Sequence, residues 1–157
     1  MPVKTKWVML SYRLPREPSS PRTLIWRRLR RLGVVQVLDG LVTVPFTDQN
    51  REQFDWIADE VIANAGEAHV WISQPTTVRH ERELIHALRA QVADDYQAII
   101  DAAKTPTEDP AEQERAIAQL RRDLQRVRVR DHAPDETARR ATRAVESFAR
   151  RMNRARV

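Results

Sequence analysis

An α+β fold is what this sequence predicts: a four-stranded antiparallel sheet carrying two helices, followed by a helical extension of about three helices. Three observations lead there. Apolar runs of strand length stand at Lys6–Tyr12, Val34–Leu38, Leu41–Pro45 and Ala68–Ser73. Stretches with helical spacing of apolar residues separate the first run from the second and the third from the fourth. After Pro75 the apolar spacing is helical throughout.

The first strand, Lys6-Trp-Val-Met-Leu-Ser-Tyr12, is continuously apolar, as a central strand buried on both faces would be. Three prolines stiffen the loop Leu14–Pro21. The helix that follows has both ends marked: Ser20 as the capping residue, Pro21 where a missing N–H costs nothing, and Gly33 to close the last turn. Asp39-Gly40 is a tight hairpin signal between the second and third strands. Thr47 or Asp48 caps a second helix running to about Gly66, with Phe54, Ile57, Ala58, Val61 and Ala65 as its core stripe. Strand, helix, strand, strand, helix, strand is the split βαβ, ferredoxin-like arrangement. Both crossovers are long enough for parallel pairing, and the sheet face away from the helices is either covered by another element or open.

The extension reads as three helices. Residues of about 76–104 place Ile85, Leu88, Val92, Tyr96, Ile99 and Ala103 on one stripe. Residues of about 111–128 carry Ile117, Leu120, Leu124 and Val127, and residues of about 135–153 carry Ala138, Ala141, Val145, Phe148 and Met152. Spacings of three and four on short helices predict an antiparallel hairpin or a three-helix unit packed through these seams. The expected division is therefore a sheet domain over 1–75 and a helical extension over 76–157.

The 157 residues carry 27 Lys and Arg, most of them Arg, against 22 Asp and Glu, with a sequence pI of about 10.4. Residues 110–157 hold 13 basic and 7 acidic side chains, so the last third is the basic part. That balance suits a polyanionic partner. There is no Cys, which excludes disulfides, zinc–thiolate sites and cysteine nucleophiles. No apolar run is long enough to span a membrane and no signal-peptide core is present, so a cytoplasmic location with no membrane partner is expected.

The first helix holds the sharpest functional signal. Ile25, Leu29 and Leu32 form its docking stripe, Arg27, Arg30 and Arg31 fall on the opposite face, and Arg22 and Arg28 flank them. Guanidinium forks match phosphate oxygens and stay charged at physiological pH. The other reading is a solvated face whose arginines sit near a helix C-terminus, where the macrodipole favours cations. The second group of arginines lies in the extension: Arg121, Arg122, Arg126 and Arg128, then Arg139, Arg140 and Arg143. Some should pair with Asp123, Glu136 or Glu146, and the surplus is the candidate phosphate surface. Trp56 points away from the apolar stripe of its own helix and is the candidate interface residue, toward the C-terminal helices or another subunit.

Trp7-Val-Met-Leu-Ser-Tyr-Arg-Leu-Pro-Arg-Glu-Pro-Ser-Ser-Pro-Arg22, Trp26-Arg-Arg-Leu-Arg-Arg-Leu-Gly33, Leu38-Asp-Gly-Leu41 and Arg130-Asp-His-Ala-Pro134 together resemble the N-terminal domain of the chromate resistance protein ChrB. The middle of the segment is also similar to the central domain of the PaaX repressors, itself similar to a CRISPR-associated ferredoxin-like nuclease. The resemblance implies a regulatory protein for chromate-efflux genes. PaaX repressors read DNA through an N-terminal winged helix, whereas the first strand here begins near Lys6, so DNA contact is expected to use the arginine surface itself. The nuclease holds its metal with an acidic residue at the end of the first strand, where this chain reads Ser11-Tyr12-Arg13. Metal-dependent cleavage therefore loses its support.

No other chemistry is called for. His80 and His86 are six residues apart, not the four that place two rings on one helix face. Ser19, Ser20 and His80 lack a nucleophile elbow, and three glycines supply no phosphate-binding loop. The expected protein is a non-catalytic, cofactor-free regulator, with no metal site, that binds DNA and forms a homodimer. The other expectation is an interaction or dimerisation module serving a separately encoded sensory domain.

Overall fold

The computed structural model describes residues 5–155. Its elements are β1 (Trp7–Arg13), α1 (Ser20–Leu32), β2 (Val35–Leu38), β3 (Leu41–Pro45), α2 (Asp48–Ala63), β4 (Glu67–Ser73), α3 (Val78–Ala102), α4 (Pro110–Arg130) and α5 (Glu136–Ala155). The fold is α+β, a four-stranded antiparallel sheet with five helices, and it divides into two compact units at Leu88/Arg89, inside α3.

The first unit is built on β1. Strand order is β2-β3-β1-β4, and every neighbouring pair is antiparallel. The crossovers consequently join strands that run parallel without touching: β3 lies between β1 and β2, and β1 lies between β3 and β4. A third strand inserted between the two strands of each crossover lets every ladder be antiparallel, as expected for the sheet. One face of the sheet meets α1 and α2. Val8 and Leu10 of β1, Val42 and Val44 of β3, Ile25 and Leu29 of α1, and Phe54, Ile57 and Val61 of α2 make one core. On the other face Trp7 and Thr43 are buried, the Thr43 hydroxyl donating to the Val8 carbonyl (2.8 Å). The Thr5 N–H donates to Glu81 of α3 (3.2 Å), which ties the start of that helix to the start of β1.

The helix ends follow from local chemistry, with one correction. The cap of α1 is Ser19, not Ser20, and its side chain makes no capping hydrogen bond; the Ser19 carbonyl instead accepts from the Thr23 N–H (3.3 Å). With Pro21 in the first turn one orphan N–H is already absent, so a side-chain cap has less to satisfy. Gly33 closes α1 in the left-handed region, φ 78°, and donates to the Arg30 carbonyl (3.1 Å). Thr47 caps α2 through its hydroxyl, which accepts from the Asn50 N–H (2.9 Å).

Two glycines hold the turns against β1. The carbonyl of Gly40, φ +74°, accepts from the Tyr12 N–H (2.8 Å), and a Cβ there would stand 2.4 Å from the Tyr12 carbonyl oxygen. A Cβ on Gly66 would stand 2.4 Å from the Arg13 carbonyl oxygen and 2.7 Å from Val61 Cγ1.

The second unit is a three-helix bundle. Arg89 of α3 donates to Ala133 O (3.1 Å), at the turn before α5, and Arg151, late in α5, donates to Ala103 O (2.8 Å), so α3 and α5 run parallel. Asp95 of α3 pairs with Arg130 at the end of α4, so α4 runs against both. Val92, Tyr96, Ile99, Leu120, Leu124, Val127, Ala141, Val145 and Phe148 fill the seam. The stripe of α3 differs from expectation in its first turns: Leu84 is buried and Ile85 is half-buried. Ile117 is likewise only half-buried against the seam of the second unit.

Gly40→Ala and Gly66→Ala should each destabilise the first unit by about 1–3 kcal/mol, since the β1 backbone cannot yield. Ala65, the non-glycine residue at positive φ (63°) among those described, offers the opposite sign. Ala65→Gly should stabilise by about 0.5–1 kcal/mol, the left-handed penalty exceeding the entropy that glycine adds. Urea unfolding midpoints of the three variants check both signs.

Candidate nucleic-acid interface

The guanidinium face of α1 is set by its docking face. Ile25 and Leu29 are buried at 1% and 0% exposure, which turns Arg27, Arg30 and Arg31 to solvent, and Arg22, on the flank in the first turn, is exposed as well. None of these four has an ion-pair or hydrogen-bond partner among the described residues. Arg28 behaves differently: it is half-buried and forms an ion pair with Glu60 of α2. This removes Arg28 from the free surface, and its role is to tie the two helices together. The macrodipole accounts for Arg30 and Arg31, which lie in the last turn. It does not account for Arg22, at the positive end of a helix whose first turn holds no acidic residue. The helix contains five arginines and no carboxylate, so its own sequence supplies no counter-charge.

In the bundle, the seven expected arginines separate into three groups. Arg121 and Arg140 are exposed, with no partner among the described residues. Arg122 and Arg128 bond neutral groups: Gln119 Oε1 at 2.8 Å and the Thr142 hydroxyl at 2.6 Å. Arg126 pairs with Asp123 (3.7 Å), and Arg139 and Arg143 share Glu136 at 2.8 and 2.6 Å. The expected partners Asp123 and Glu136 are thus engaged by these arginines. Hydrogen bonds from Arg143 and then Arg139 hold the Glu136 carboxyl below its usual range.

The α4–α5 turn brings three of these cations to one groove of about 520 Å³, lined by Arg128, Arg139, Arg143, Thr142 and Tyr96. The floor is rigid. Tyr96 donates to Asp131 Oδ2 (2.6 Å), Asp131 Oδ1 accepts from the Ala133 N–H (3.1 Å), and Arg89 clasps the Ala133 carbonyl. Burial first, and then the bond to Asp131, pushes the Tyr96 phenol far above its ordinary 10.0. The three arginines are visible as candidates in the sequence, whereas the support they draw from Tyr96, Asp131 and Thr142 is not. The pairing of Glu136 with Arg139, three residues later, was a readable signal; Tyr96 with Asp131, 35 residues apart, was not.

Among the described residues, no three His, Asp or Glu side chains gather closely enough to hold a metal ion, and no helix is long and apolar enough to cross a membrane. Trp56 is 52% exposed on the outer side of α2, as its position on the helix predicts.

The Tyr96–Asp131 bond gives a signed pH dependence. The folded phenol holds its proton longer than the unfolded one, so the bond's contribution is complete below about pH 10 and falls as pH rises beyond it. Tyr96→Phe should cost about 1–3 kcal/mol at neutral pH and reduce this alkaline loss, measured by urea unfolding at pH 7 and above 10.

A family model described as "Protein ChrB, N-terminal" matches residues 22–155. No curated protein and no solved structure matches the chain.

Proposed function

The chain belongs to the ChrB N-terminal family, and on that footing we propose that it is a regulator linked to chromate resistance that binds DNA by its phosphates. The observation that carries this reading is the exposed cationic surface of α1, where Arg27, Arg30 and Arg31 on the outer face and Arg22 at the flank of the first turn stand without a counter-charge. Arg121 and Arg140 of the bundle add to it, and the arginines already held by Glu136 or Asp123 contribute less. Such a surface positions a duplex by its backbone rather than reading bases. No step of catalysis is part of this reading, and the protein acts in the cytoplasm without a cofactor. We also read the sheet as ferredoxin-like, supported by the third strand inserted between the two strands of each crossover.

A second reading, a protein-interaction module for a separately encoded sensory domain, draws on exposed apolar side chains: Leu38, Trp56, Trp71 and Val129 are each more than half exposed. Salt separates the two, because phosphate contacts weaken steeply with ionic strength and apolar contacts do not.

Fluorescence anisotropy with DNA from upstream of the protein's own gene, and with scrambled DNA, is the test. The Arg22, Arg27, Arg30 and Arg31→Ala variant should lose most of the affinity for both and flatten the slope of log affinity against log salt by about 0.9 per phosphate contact removed. Its circular dichroism should match the wild type. Unchanged affinity would transfer the contact away from α1, and no binding by the wild type would leave the interaction-module reading.

A further inference from the structure

The two edges of the sheet are unequal. β2 has four residues and an irregular register between Gln36 and Leu38, a short and bulged edge of the kind that resists further pairing. β4 has seven residues, Glu-Ala-His-Val-Trp-Ile-Ser, with no proline or lysine inside it. Trp71 and Ile72 on it are 55% and 54% exposed.

The direction of its free backbone groups follows from β1. Tyr12 N–H donates to Gly40 O, and the Val8 carbonyl accepts from Thr43, so even-numbered residues of β1 face the β2–β3 side. Odd-numbered ones face β4, where the register pairs Trp7 with Ser73, Met9 with Trp71 and Ser11 with His69. The Ser11 hydroxyl also reaches the His69 carbonyl (3.4 Å), which points inward accordingly. Ala68, Val70 and Ile72 therefore aim their N–H and C=O groups outward, and none of them has a partner among the described residues.

We infer that this edge is the site at which a second copy of the chain docks, by antiparallel β4–β4 pairing about a two-fold axis at Val70. The register is fixed by complementarity. Centred there, Val70 meets Val70 of the other copy and Ala68 meets Ile72, so every outward N–H and C=O of the three residues is bonded. His69 meets Trp71, bringing together two copies of a ring pair that already lies 6.1 Å apart in each chain. Glu67, which pairs with Arg13 at 3.0 Å, meets Ser73 and no like charge.

An exposed residue on α2 completes the fit. Ile62, 56% exposed, lies about 160° around α2 from Glu60, the residue tied to α1, and so faces the β4 edge. It stands at the end of α2 that leads into the start of β4. In this register Ile72 of the second copy lies over Ala68, beside Ile62. A two-fold axis normal to the sheet keeps both helical layers on one side, so one pairing covers the exposed isoleucines of both copies. A register centred on His69 or Trp71 would leave Ile72 or Ala68 without a strand residue opposite. The inference is independent of DNA binding.

Sedimentation equilibrium of the full chain at micromolar concentration should give twice the 18.3 kDa chain mass. Ile72→Lys, and separately Ile62→Lys, should each give the single mass with unchanged circular dichroism. The chain has no native cysteine. Val70→Cys should therefore form a disulfide-linked dimer under mild oxidation, because residues facing each other across an antiparallel ladder at about 5.5 Å are within disulfide reach. A monomeric wild type, lysine variants that remain dimeric, or a Trp56→Cys variant that links while Val70→Cys does not would each overturn the assignment.

Discussion

The sheet depends on two places where the backbone of β1 tolerates no side chain beside it. The Tyr12 carbonyl crowds Gly40 and the Arg13 carbonyl crowds Gly66. The first contact draws the β2–β3 hairpin onto one edge of β1, and the second draws the α2–β4 turn onto the other. With both edges of β1 occupied, β2 and β4 become the outer strands, and α1 and α2 must share the face that Val8 and Leu10 present. Docking of α1 by Ile25 and Leu29 then decides which of its arginines meet solvent. The exposed arginine surface of α1 is thus a consequence of sheet closure, reached through one apolar stripe.

Much of this was legible in the chain. Asp39-Gly40 marked the hairpin because few residues other than glycine accept a left-handed turn, and Thr47 marked α2 because a hydroxyl before an apolar-periodic run satisfies an orphan N–H. The seams of α4 and α5 showed in spacings of three and four, since each helix has only one partner-facing side. What escaped was settled by contacts distant in sequence. Ser19 rather than Ser20 is the cap of α1 because the preceding loop fixes where the chain enters the helix. Leu84 rather than Ile85 is buried because a helix that changes neighbours along its length does not keep one stripe. Arg28, on the flank of the guanidinium stripe, counted with the phosphate ligands until Glu60, 32 residues on, claimed it.

The arginines show why composition alone is a weak guide to binding. Arg139 and Arg143 are anchored by one carboxylate, whereas Arg22 and Arg27 have none. Exposed ion pairs contribute little to stability, yet they lower the charge available to a partner, so in the proposed phosphate surface the free cations of α1 count for more than the more numerous arginines of the bundle. The bundle's contribution is a rigid turn, held by Tyr96, Asp131 and Arg89, that keeps Arg128 beside Arg139 and Arg143. In this account family membership supplies the biological setting of chromate resistance, and the unpaired cations supply the chemistry of recognition.

Arginine side-chain NMR of the full chain, titrated with a short DNA duplex, is the measurement that decides between these roles. The Nε–H signals of Arg22, Arg27, Arg30 and Arg31 should move together with added duplex and return as salt is raised, while Arg28, held by Glu60, stays in place. Signals of α1 that remain fixed while duplex is bound, or an Arg28 signal that moves with the others, would contradict the account.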